Sequence, residues 1–338
     1  MEIKNRIVII NNEKIFKAGN EFYCDNIDIK SIPEGLNKYS QISLIARSSR
    51  KKGNFKLDLK DISIASNPFF FLYFFIKSLK QKKTIYFIIS ITPFTFFSFL
   101  ILKLFRKKIF IYLRSNGYEE YRAIFGSKLV WVYHLMYILM TRKSNLIACH
   151  KGLVSKEKFD LVFPSQLDKK WINDQNKPSN EKIKLLYVGR IKKEKGVFSL
   201  MKLLQEISQN IELSIVGKRD NGNLSYKNLN ILGSGFDADS LIKIYDNHNI
   251  FILPSFTEAH PQVLDESLAR LRPVIIFEDI RHVVKDKIGV FVSERNSKSL
   301  LEKINYIMKN YEYIQNDMRK NKLPNKEDFI KNLVKILN

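Results

Sequence analysis

Cysteine is scarce in this chain of 338 residues, which contains only Cys24 and Cys149. Two cysteines so far apart in sequence supply neither the disulfide framework of a small secreted protein nor a cysteine-rich metal site. This cysteine content is typical of a reducing cytosol. The sequence therefore predicts a cytoplasmic protein.

A secretory leader is also missing from the start of the sequence. Met1–Arg6 carries charges of both signs, and the apolar run Ile7–Ile10 is shorter than the apolar segment of a signal peptide. We therefore expect no cleaved leader.

Acidic residues are far fewer than basic ones, with 34 Asp and Glu against 57 Lys and Arg, which gives a formal net charge of +23. Such an excess indicates an anionic partner, which could be nucleic acid, an anionic membrane surface or a phosphorylated substrate. The abundance of Lys, Asn and Ile also fits an AT-rich genome, so codon usage explains part of the charge. No nucleic-acid motif is evident and most aromatic residues lie in apolar runs typical of a core, so we predict no nucleic-acid partner.

Short apolar runs alternate with amphipathic stretches along the whole chain, which predicts an α/β fold with parallel sheets. Asp168–Glu181 is polar and lacks apolar periodicity, so we interpret it as a linker between domains. The expected domains are residues 1–168 and 182–338. In the first, the patterns predict strands at Arg6–Ile10, Gln41–Ala46, Thr84–Ile89, Lys108–Leu113 and Leu146–Cys149, and helices at Phe69–Leu79, Phe94–Phe105 and Leu129–Met140.

The run Ile85–Leu102 contains no charged residue and is long enough for a transmembrane segment. Pro93 interrupts it, and Ser and Thr side chains dilute its hydrophobicity. A strand, a turn at Thr92-Pro93 and a buried helix explain the run equally well, and we favour this interpretation.

Three predicted strands of the second half end on glycine, at Gly189, Gly217 and Gly233. Glycine at a strand end permits close approach of a ligand to the backbone. After Gly189 come Arg190 and then Lys195-Gly196, directly before a predicted helix. The free N–H groups of a helix start and two flanking cations would suit an anion.

Two glutamates eight positions apart follow the predicted strand Asn249–Leu253. Glu258 lies in the loop that begins at Pro254-Ser255, and Glu266 lies in the predicted helix Gln262–Ala269. Because ligands of open α/β sheets bind at the carboxyl ends of strands, Glu258 could face a sugar and Glu266 a pair of hydroxyls. The alternatives are a helix cap for Glu258 and a solvated side chain for Glu266.

This ordered set, completed by the strand Pro273-Val274-Ile275, resembles the glycosyltransferase group 1 family (family 4), which has the GT-B fold. The resemblance covers about Lys184–Phe277 well and the N-terminal half only by pattern. It implies two Rossmann-like domains facing a central cleft, an N-terminal acceptor-binding domain and a C-terminal nucleotide-sugar domain. It also implies a final helix, Lys326–Asn338, that returns to the first domain.

The resemblance further implies roles for individual residues. Arg190 and Lys195 would hold the donor diphosphate, Glu266 the ribose and Glu258 the donor sugar, with retention of anomeric configuration. The catalytic residues would be Glu258, Arg190 and Lys195, and the donor site would also include Gly189, Gly217, Gly233, His260 and Glu266.

The sequence departs from the family at several positions. Ala259-His260-Pro261 replaces the usual Gly-Phe-Gly, so that a backbone donor is lost at Pro261 and the His260 side chain is a candidate substitute. Leu271 replaces a glycine before Pro273, which puts the tightness of that turn in doubt. The N-terminal half lacks the family's Gly-Gly loop and histidine. Its candidate acceptor residues are Arg114, Glu119 and His150, and a solvated turn or a core histidine are the alternatives.

No metal or other cofactor is expected, because two protein cations and a helix N-terminus would stabilise the leaving diphosphate. Asp237-Ala238-Asp239 has the spacing of a metal-binding motif, but it directly precedes a helix and is better explained as a cap. The resulting expectation is a metal-independent glycosyltransferase.

Its partners would be a nucleotide-sugar donor, a glycan or lipid-linked acceptor, and the anionic surface of the inner membrane. The family resemblance implies a role in bacterial lipopolysaccharide or cell-surface polysaccharide biosynthesis. The alternatives are a nucleotide-sugar epimerase of the same fold and a basic nucleic-acid-binding protein.

Overall fold

The computed structural model describes residues 5–81, 83–155, 157–175, 178, 182–218 and 226–338. Contacts divide the chain into two compact units. Unit 1 comprises Met1–Pro164 and Glu327–Asn338, and unit 2 comprises Ser165–Lys326.

Unit 1 is built on a mixed sheet whose central strands are buried apolar runs. Its parallel part has the order β5-β3-β1-β6-β7-β8-β9, and β2 and β4 add antiparallel pairing at the far end of β1. The strands are β1 (Arg6–Ala18), β2 (Glu21–Cys24), β3 (Ile42–Ser48), β4 (Phe55–Leu57), β5 (Ile62–Ala65), β6 (Thr84–Ile89), β7 (Lys108–Leu113), β8 (Asn145–Ala148) and β9 (Asp160–Leu161).

The predicted strand Arg6–Ile10 is the parallel part of a longer strand, because β1 continues through a register shift and pairs with β2. The predicted strand Gln41–Ala46 corresponds to β3, whereas β2, β4, β5 and the helix between β2 and β3 were not predicted, since their short, mixed sequences lack a clear period. The helices of this part are α1 (Ile27–Leu36), α2 (Pro68–Leu79), α3 (Pro93–Leu104), α4 (Gly117–Phe125) and α5 (Val130–Arg142).

The uncharged run Ile85–Leu102 is divided by a turn. It forms most of β6 and α3, and Ser90 between them has a left-handed backbone, with φ of 67°. Thr92 caps α3 in a reciprocal capping box with Thr95, which explains why the helix begins at Pro93. No helix within the described residues is long and apolar enough to cross a bilayer.

The helix α3 is buried on one side only, which corrects the prediction of a buried helix. Most aromatic residues do belong to the two cores or pack against them, as predicted, but a group on α2, α3 and α5 does not. The helices α2, α3 and α5 pack on one side of the sheet through a shared core, and their outward sides are apolar too. Phe69 is 84% exposed, and Phe97 and Trp131 are each 65% exposed. We call this surface the apolar face of unit 1; it comprises Phe69, Phe70, Tyr73, Ile76, Phe97, Leu100, Leu104, Trp131, Leu135 and Leu139.

Unit 2 contains a six-stranded parallel sheet with the order β12-β11-β10-β13-β14-β15. The chain builds outward from β10 to β12 and then resumes on the other side of β10 with β13. This is the doubly wound strand order of nucleotide-binding folds. The strands are β10 (Ile183–Val188), β11 (Ile211–Val216), β12 (Leu229–Gly233), β13 (Ile250–Leu253), β14 (Val274–Phe277) and β15 (Val290–Ser293).

The helices of unit 2 follow the apolar periodicity of the sequence, with one exception. The apolar residues Leu300, Ile304, Ile307 and Tyr311 have the spacing of one helix face but belong to two helices, because the first ends at Lys309 and Tyr311 begins the next. The helices are α6 (Lys169–Ile172), α7 (Val197–Gln205), α8 (Ala238–Asp246), α9 (Gln262–Ala269), α10 (Ser297–Lys309) and α11 (Tyr311–Met318), and α12 (Lys326–Leu337) follows.

The stretch expected as a linker from Asp168 begins as a helix that packs into unit 2. Trp171 is buried against Tyr245, and its carbonyl accepts a hydrogen bond from Arg270. Burial of the apolar Trp171 side chain places this segment in the core of unit 2, although the residues around it in sequence are polar. Residues 176–177 and 179–181 of the expected linker lie outside the described residues.

Two arginines, Arg270 and Arg272, are buried in unit 2, and both form ion pairs with Asp246. Arg270 donates to both oxygens of Asp246, at 2.8 and 2.7 Å, and Arg272 donates to the Asp246 carbonyl oxygen at 3.0 Å. Arg270 also donates to carbonyls at residues 171, 173 and 174. A bidentate pair with its remaining donors satisfied is the geometry in which a buried arginine is tolerated.

We predict that Asp246→Ala lowers the free energy of unfolding of unit 2 by about 3–5 kcal/mol, because it leaves buried guanidinium groups without their counter-ion. The control is Glu278→Ala, whose exposed carboxylate lies 3.4 Å from Arg281 and whose loss should not shift the midpoint. Urea unfolding is monitored by tryptophan fluorescence in variants that also carry Trp131→Phe. Trp171, in the core of unit 2, is then the one remaining tryptophan and reports on the unfolding of that unit. Equal midpoints for both variants would contradict the prediction.

Candidate functional site in unit 2

The strands β10 and β13 are adjacent and parallel, and the chain reverses its direction of sheet growth between them. At such a point the loops that leave the carboxyl ends of the two strands diverge and leave a crevice, where open α/β sheets bind ligands. The loop after β10 holds Gly189–Gly196, and the loop after β13 holds Pro254–Pro261. The two motifs that the sequence singled out therefore lie side by side.

Gly196 fixes how closely these two loops approach. It has a left-handed backbone with φ of 68°, and a Cβ atom at this position would lie 1.8 Å from the carbonyl oxygen of Pro254. Only glycine satisfies both conditions. The loops are further joined by a backbone hydrogen bond of 3.0 Å from the Phe256 N–H to the Glu194 carbonyl.

Lys195 and Glu258 meet across this contact. The Lys195 ammonium donates to Oε1 of Glu258 at 2.6 Å, and the Ser255 hydroxyl donates to the same oxygen at 2.7 Å. Both charged side chains are largely buried. The geometry places one cation and one carboxylate of the predicted site in direct contact, each oriented by its own loop.

The first turn of α7 begins immediately after Lys195. Its N-cap residue is Gly196, so no side chain caps the helix N-terminus. The N–H groups of a first turn have no partner within the helix, and they carry the positive end of the helix dipole. An anion placed here would meet these donors together with the Lys195 ammonium.

Arg190 is exposed in the same loop. Its carbonyl oxygen accepts a hydrogen bond of 2.8 Å from the Tyr187 hydroxyl. Burial and the neighbouring Glu258 raise the pKa of Tyr187, so its hydroxyl stays protonated and holds the loop backbone. The backbone at Arg190 is therefore held by Tyr187, while its side chain is exposed.

The three glycines at strand ends form a continuous edge of backbone. Gly217 donates to the Gly233 carbonyl at 2.7 Å, and Gly189 donates to the Val216 carbonyl at 2.9 Å. A Cβ atom on Gly217 would lie 1.9 Å from the Gly189 carbonyl oxygen. The structure thus brings Gly189, Gly217 and Gly233 together, and their contact with a ligand stays a prediction.

Glu266 is buried in α9 and accepts a hydrogen bond of 3.1 Å from the Tyr245 hydroxyl of α8. Burial raises the pKa of Tyr245, which keeps this donor protonated. The alternative of a solvated Glu266 is excluded by its burial. Tyr245 was not singled out in the sequence, since its apolar spacing indicated only a core position.

His260 does not extend into open space. Its side chain is 4% exposed, and Nε2 lies 3.2 Å from Oδ2 of Asp265. The other carboxylate oxygen of Asp265, Oδ1, lies 3.4 Å from the Lys287 ammonium. Nε2 of a second histidine, His282, lies 2.7 Å from the carbonyl oxygen of Glu258. Both histidines thus hold the Glu258 loop, which the sequence motif alone did not indicate.

Arg295 is a cation of this site that the sequence did not single out, because it lies in a polar loop after β15. Its guanidinium lies over the rings of Phe256 and Phe277, at 4.1 and 4.3 Å, and it donates to Asp279 at 2.6 Å. The contacts fix the turn that carries Glu258.

Leu271 occupies the position of the family's glycine, and it adopts the left-handed backbone itself, with φ of 55°. This conformation costs about 1–2 kcal/mol for a residue other than glycine. The Leu271 side chain is buried in the core of unit 2, which offsets that cost. The turn before Pro273 is therefore kept without glycine.

The acceptor residues predicted in unit 1 have structural partners. Arg114 forms an ion pair with the buried Asp28, and Nδ1 of His150 accepts from the Gly152 N–H at 3.0 Å. Glu119 is partly exposed in the first turn of α4. These contacts do not bring the three side chains into one site.

The Asp237-Ala238-Asp239 motif caps α8. The Asp237 carboxylate accepts from the Ser240 N–H at 2.8 Å, which confirms the capping interpretation. Within the described ranges no group of three or more His, Cys, Asp or Glu residues is arranged to hold a metal ion.

Residues 168–323 match the family described as glycosyl transferases group 1. The capsular polysaccharide biosynthesis glycosyltransferase CapM of Staphylococcus aureus is 29% identical over 154 residues, covering 41% of this chain and 40% of CapM. An uncharacterized glycosyltransferase of Methanocaldococcus jannaschii is 27% identical over 229 residues, covering 55% of this chain and 57% of that protein. The chain thus spans about half the length of these curated relatives.

Solved structures share the fold over almost the whole chain. HepE of Anabaena in complex with UDP-glucose has a TM-score of 0.69 at 12% identity, covering 98% of this chain and 99% of HepE. Sucrose-phosphate synthase from Thermosynechococcus elongatus has a TM-score of 0.67 at 14% identity, covering 99% and 96%. At these identities the likeness establishes the fold, and the predicted GT-B class is confirmed.

We predict that Gly196→Ala destabilises unit 2 by more than Gly19→Ala destabilises unit 1. Both glycines have a positive φ, 68° and 58°, but nothing lies within 4 Å of a Cβ on Gly19. The matched pair separates the conformational cost, about 1–2 kcal/mol, from the collision with Pro254. Denaturant unfolding of each variant measures both, and equal losses would show that the loops are not held in contact.

Proposed function

We propose that this protein transfers a sugar from a nucleotide diphosphate donor that binds to unit 2, and the match of residues 168–323 to the group 1 glycosyl transferases supports this. The observation that carries the proposal is the contact of Lys195 with Glu258 beside the uncapped N-terminus of α7. The alternative of a nucleotide-sugar epimerase would use the same donor site without an acceptor.

The diphosphate would lie against the first turn of α7, with Lys195 and Arg190 as its cations. In this position the fixed N–H groups and the ammonium face the oxygen on which negative charge develops as the glycosidic bond breaks. The bare edge formed by Gly189, Gly217 and Gly233 would admit the nucleotide close to the backbone. HepE, which has the same fold, forms complexes with UDP and with UDP-glucose, so a uridine diphosphate sugar is the first donor to test.

Glu266 would accept hydrogen bonds from the ribose hydroxyls, and Glu258 would contact the donor sugar. Since Lys195 and Ser255 both donate to one oxygen of Glu258, donor binding would redistribute the Lys195 ammonium between this carboxylate and the phosphate. Asp265 and Lys287 would fix His260 so that it supports the loop and does not itself hold the sugar. We propose that the reaction retains anomeric configuration, as the family resemblance implies.

The cations and the helix N-terminus supply the positive charge that the leaving diphosphate requires, so we propose that the transfer needs no metal ion. The setting we propose is lipopolysaccharide or cell-surface polysaccharide biosynthesis in the cytoplasm, with a glycan or lipid-linked acceptor. The similarity to CapM supports this setting.

We also propose that unit 1 attaches peripherally to an anionic membrane through its apolar face. Residues 67–143 contain thirteen Lys and Arg but only two carboxylates, Glu119 and Glu120. Between α2 and α3 lies a groove of about 450 Å³ whose wall is almost entirely apolar. Exposed aromatic side chains surrounded by basic residues match the interface of an anionic bilayer, where apolar burial and electrostatic attraction act together.

We predict that Arg190→Ala and Lys195→Ala each reduce sugar transfer by about 100-fold or more, the effect of removing a donor that stabilises developing charge. Lys193→Ala is the matched control, because Lys193 is exposed in the same loop. The donor is first found by thermal shift against nucleotide sugars, since a ligand of the native state raises its stability.

Nucleotide release is then measured with and without EDTA. Near-normal turnover of both variants would contradict the diphosphate site. Loss of activity in EDTA that Mg²⁺ restores would contradict the metal-independent mechanism.

We predict that the protein binds vesicles of phosphatidylcholine with phosphatidylglycerol more tightly than vesicles of phosphatidylcholine alone, and that salt weakens the binding. Phe69→Ser with Phe97→Ser should reduce binding to the anionic vesicles, because each removes an exposed ring of the apolar face. Tyr313→Ser is the control, since Tyr313 is 70% exposed but lies in unit 2. Equal binding of all variants in a flotation assay would contradict this attachment.

A further inference from the structure

Unit 1 contains a second cavity, of about 660 Å³, that none of the predicted acceptor residues lines. Its wall is formed by the loop after β7, the first turn of α4, one side of α5 and residues 152–155. This is the carboxyl end of two adjacent parallel strands, β7 and β8. The volume is that of a site for a small molecule, and its position is where α/β sheets bind their ligands.

Three tyrosines make the cavity aromatic. The ring of Tyr118 lies 4.8 Å from that of Tyr133 and 5.6 Å from that of Tyr137. A Cβ atom on Gly117 would lie 2.2 Å from the Tyr133 hydroxyl oxygen, so glycine is what allows α4 to begin against this ring. The rings are therefore packed into a fixed wall.

The cavity also offers hydrogen-bonding groups. The Tyr118 hydroxyl lies 2.8 Å from Nδ1 of His134, and Tyr137 is held through its hydroxyl by the Leu153 carbonyl and the Ser155 N–H. Burial raises the pKa of Tyr118 and of Tyr133, so both hydroxyls remain protonated at neutral pH. Ser115 and Asn116 contribute further polar side chains.

The residues that line the cavity indicate which class of ligand it can bind. Arg142 is the one Lys or Arg side chain among the described residues that line the cavity, which is too little positive charge for a nucleotide diphosphate. A lipid tail is better matched by the apolar groove between α2 and α3. A sugar ring has apolar C–H faces that pack on aromatic rings and hydroxyls that pair with polar groups, and this wall provides both.

The helix α5 connects this cavity to the apolar face of unit 1. Tyr133, His134 and Tyr137 point into the cavity, whereas Trp131, Leu135 and Leu139 on the same helix are exposed. A ligand with a sugar head and a lipid tail would therefore find both of its binding surfaces on one rigid element.

We propose that this cavity binds the sugar ring of the acceptor, with Tyr118 and His134 as its hydrogen-bonding pair. The inference rests on the proposed glycosyltransferase function, because it assigns the acceptor of that reaction. In this proposal Tyr118 and His134 recognise the acceptor in place of Arg114 and His150. Arg114 forms an ion pair with Asp28, and Nδ1 of His150 accepts from the Gly152 N–H.

The test uses the full chain and a panel of methyl glycosides of glucose, galactose and N-acetylglucosamine. Saturation-transfer NMR measures their binding to the wild type, Tyr118→Phe, His134→Gln and Tyr121→Phe. Tyr121→Phe is the matched control, because Tyr121 loses the same hydroxyl from the same helix but does not line the cavity. Binding of UDP is measured in parallel on every variant.

We expect at least one glycoside to bind, with an affinity about three- to tenfold lower in Tyr118→Phe, the effect of one lost hydrogen bond. His134→Gln should weaken it similarly, and Tyr121→Phe and UDP binding should be unchanged. If UDP binds but no glycoside does, or if the glycoside is insensitive to Tyr118 and His134, the cavity is not the acceptor site and the proposed function still holds. If UDP and nucleotide sugars also fail to bind, the proposed function fails with it.

Discussion

Unit 2 depends on the close approach of two loops that belong to different strands. Gly196 has no side chain, and so the carbonyl of Pro254 can lie against it. The same contact brings Lys195 to Glu258 and leaves the first turn of α7 without a capping side chain. A single constraint on the backbone thus sets the distance between the cation, the carboxylate and the helix N-terminus, and the proposed chemistry requires all three.

The sequence predicted this region well because its signals are local and repeated. Buried parallel strands appear as continuous apolar runs, and the predicted strands Asn249–Leu253 and Thr84–Ile89 match β13 and β6. The glycines and glutamates follow those runs at fixed positions. Since the carboxyl ends of parallel strands meet at one edge, their order along the chain is enough to predict that Gly189, Lys195 and Glu258 lie near one another.

Other features depend on contacts between distant residues, which no local pattern reports. The phenylalanines of α2 and α3 have the composition of a core, and only the packing of both helices against the sheet reveals that Phe69 and Phe97 face outward. Arg295 reaches Phe256 across the sheet edge, and His260 turns inward because Asp265 lies one helical turn further on. Trp171 similarly belongs to a core although its neighbours in sequence are polar.

The helix α12 belongs to unit 1 although all of unit 2 precedes it in sequence. Ile330 lies against Gly35, and Phe329 packs 6.4 Å from Tyr112, in the middle of the first sheet. During synthesis the ribosome therefore delivers the whole of unit 2 before the missing part of unit 1. The apolar surface of unit 1 that receives α12 therefore stays uncovered until every residue of unit 2 has been translated.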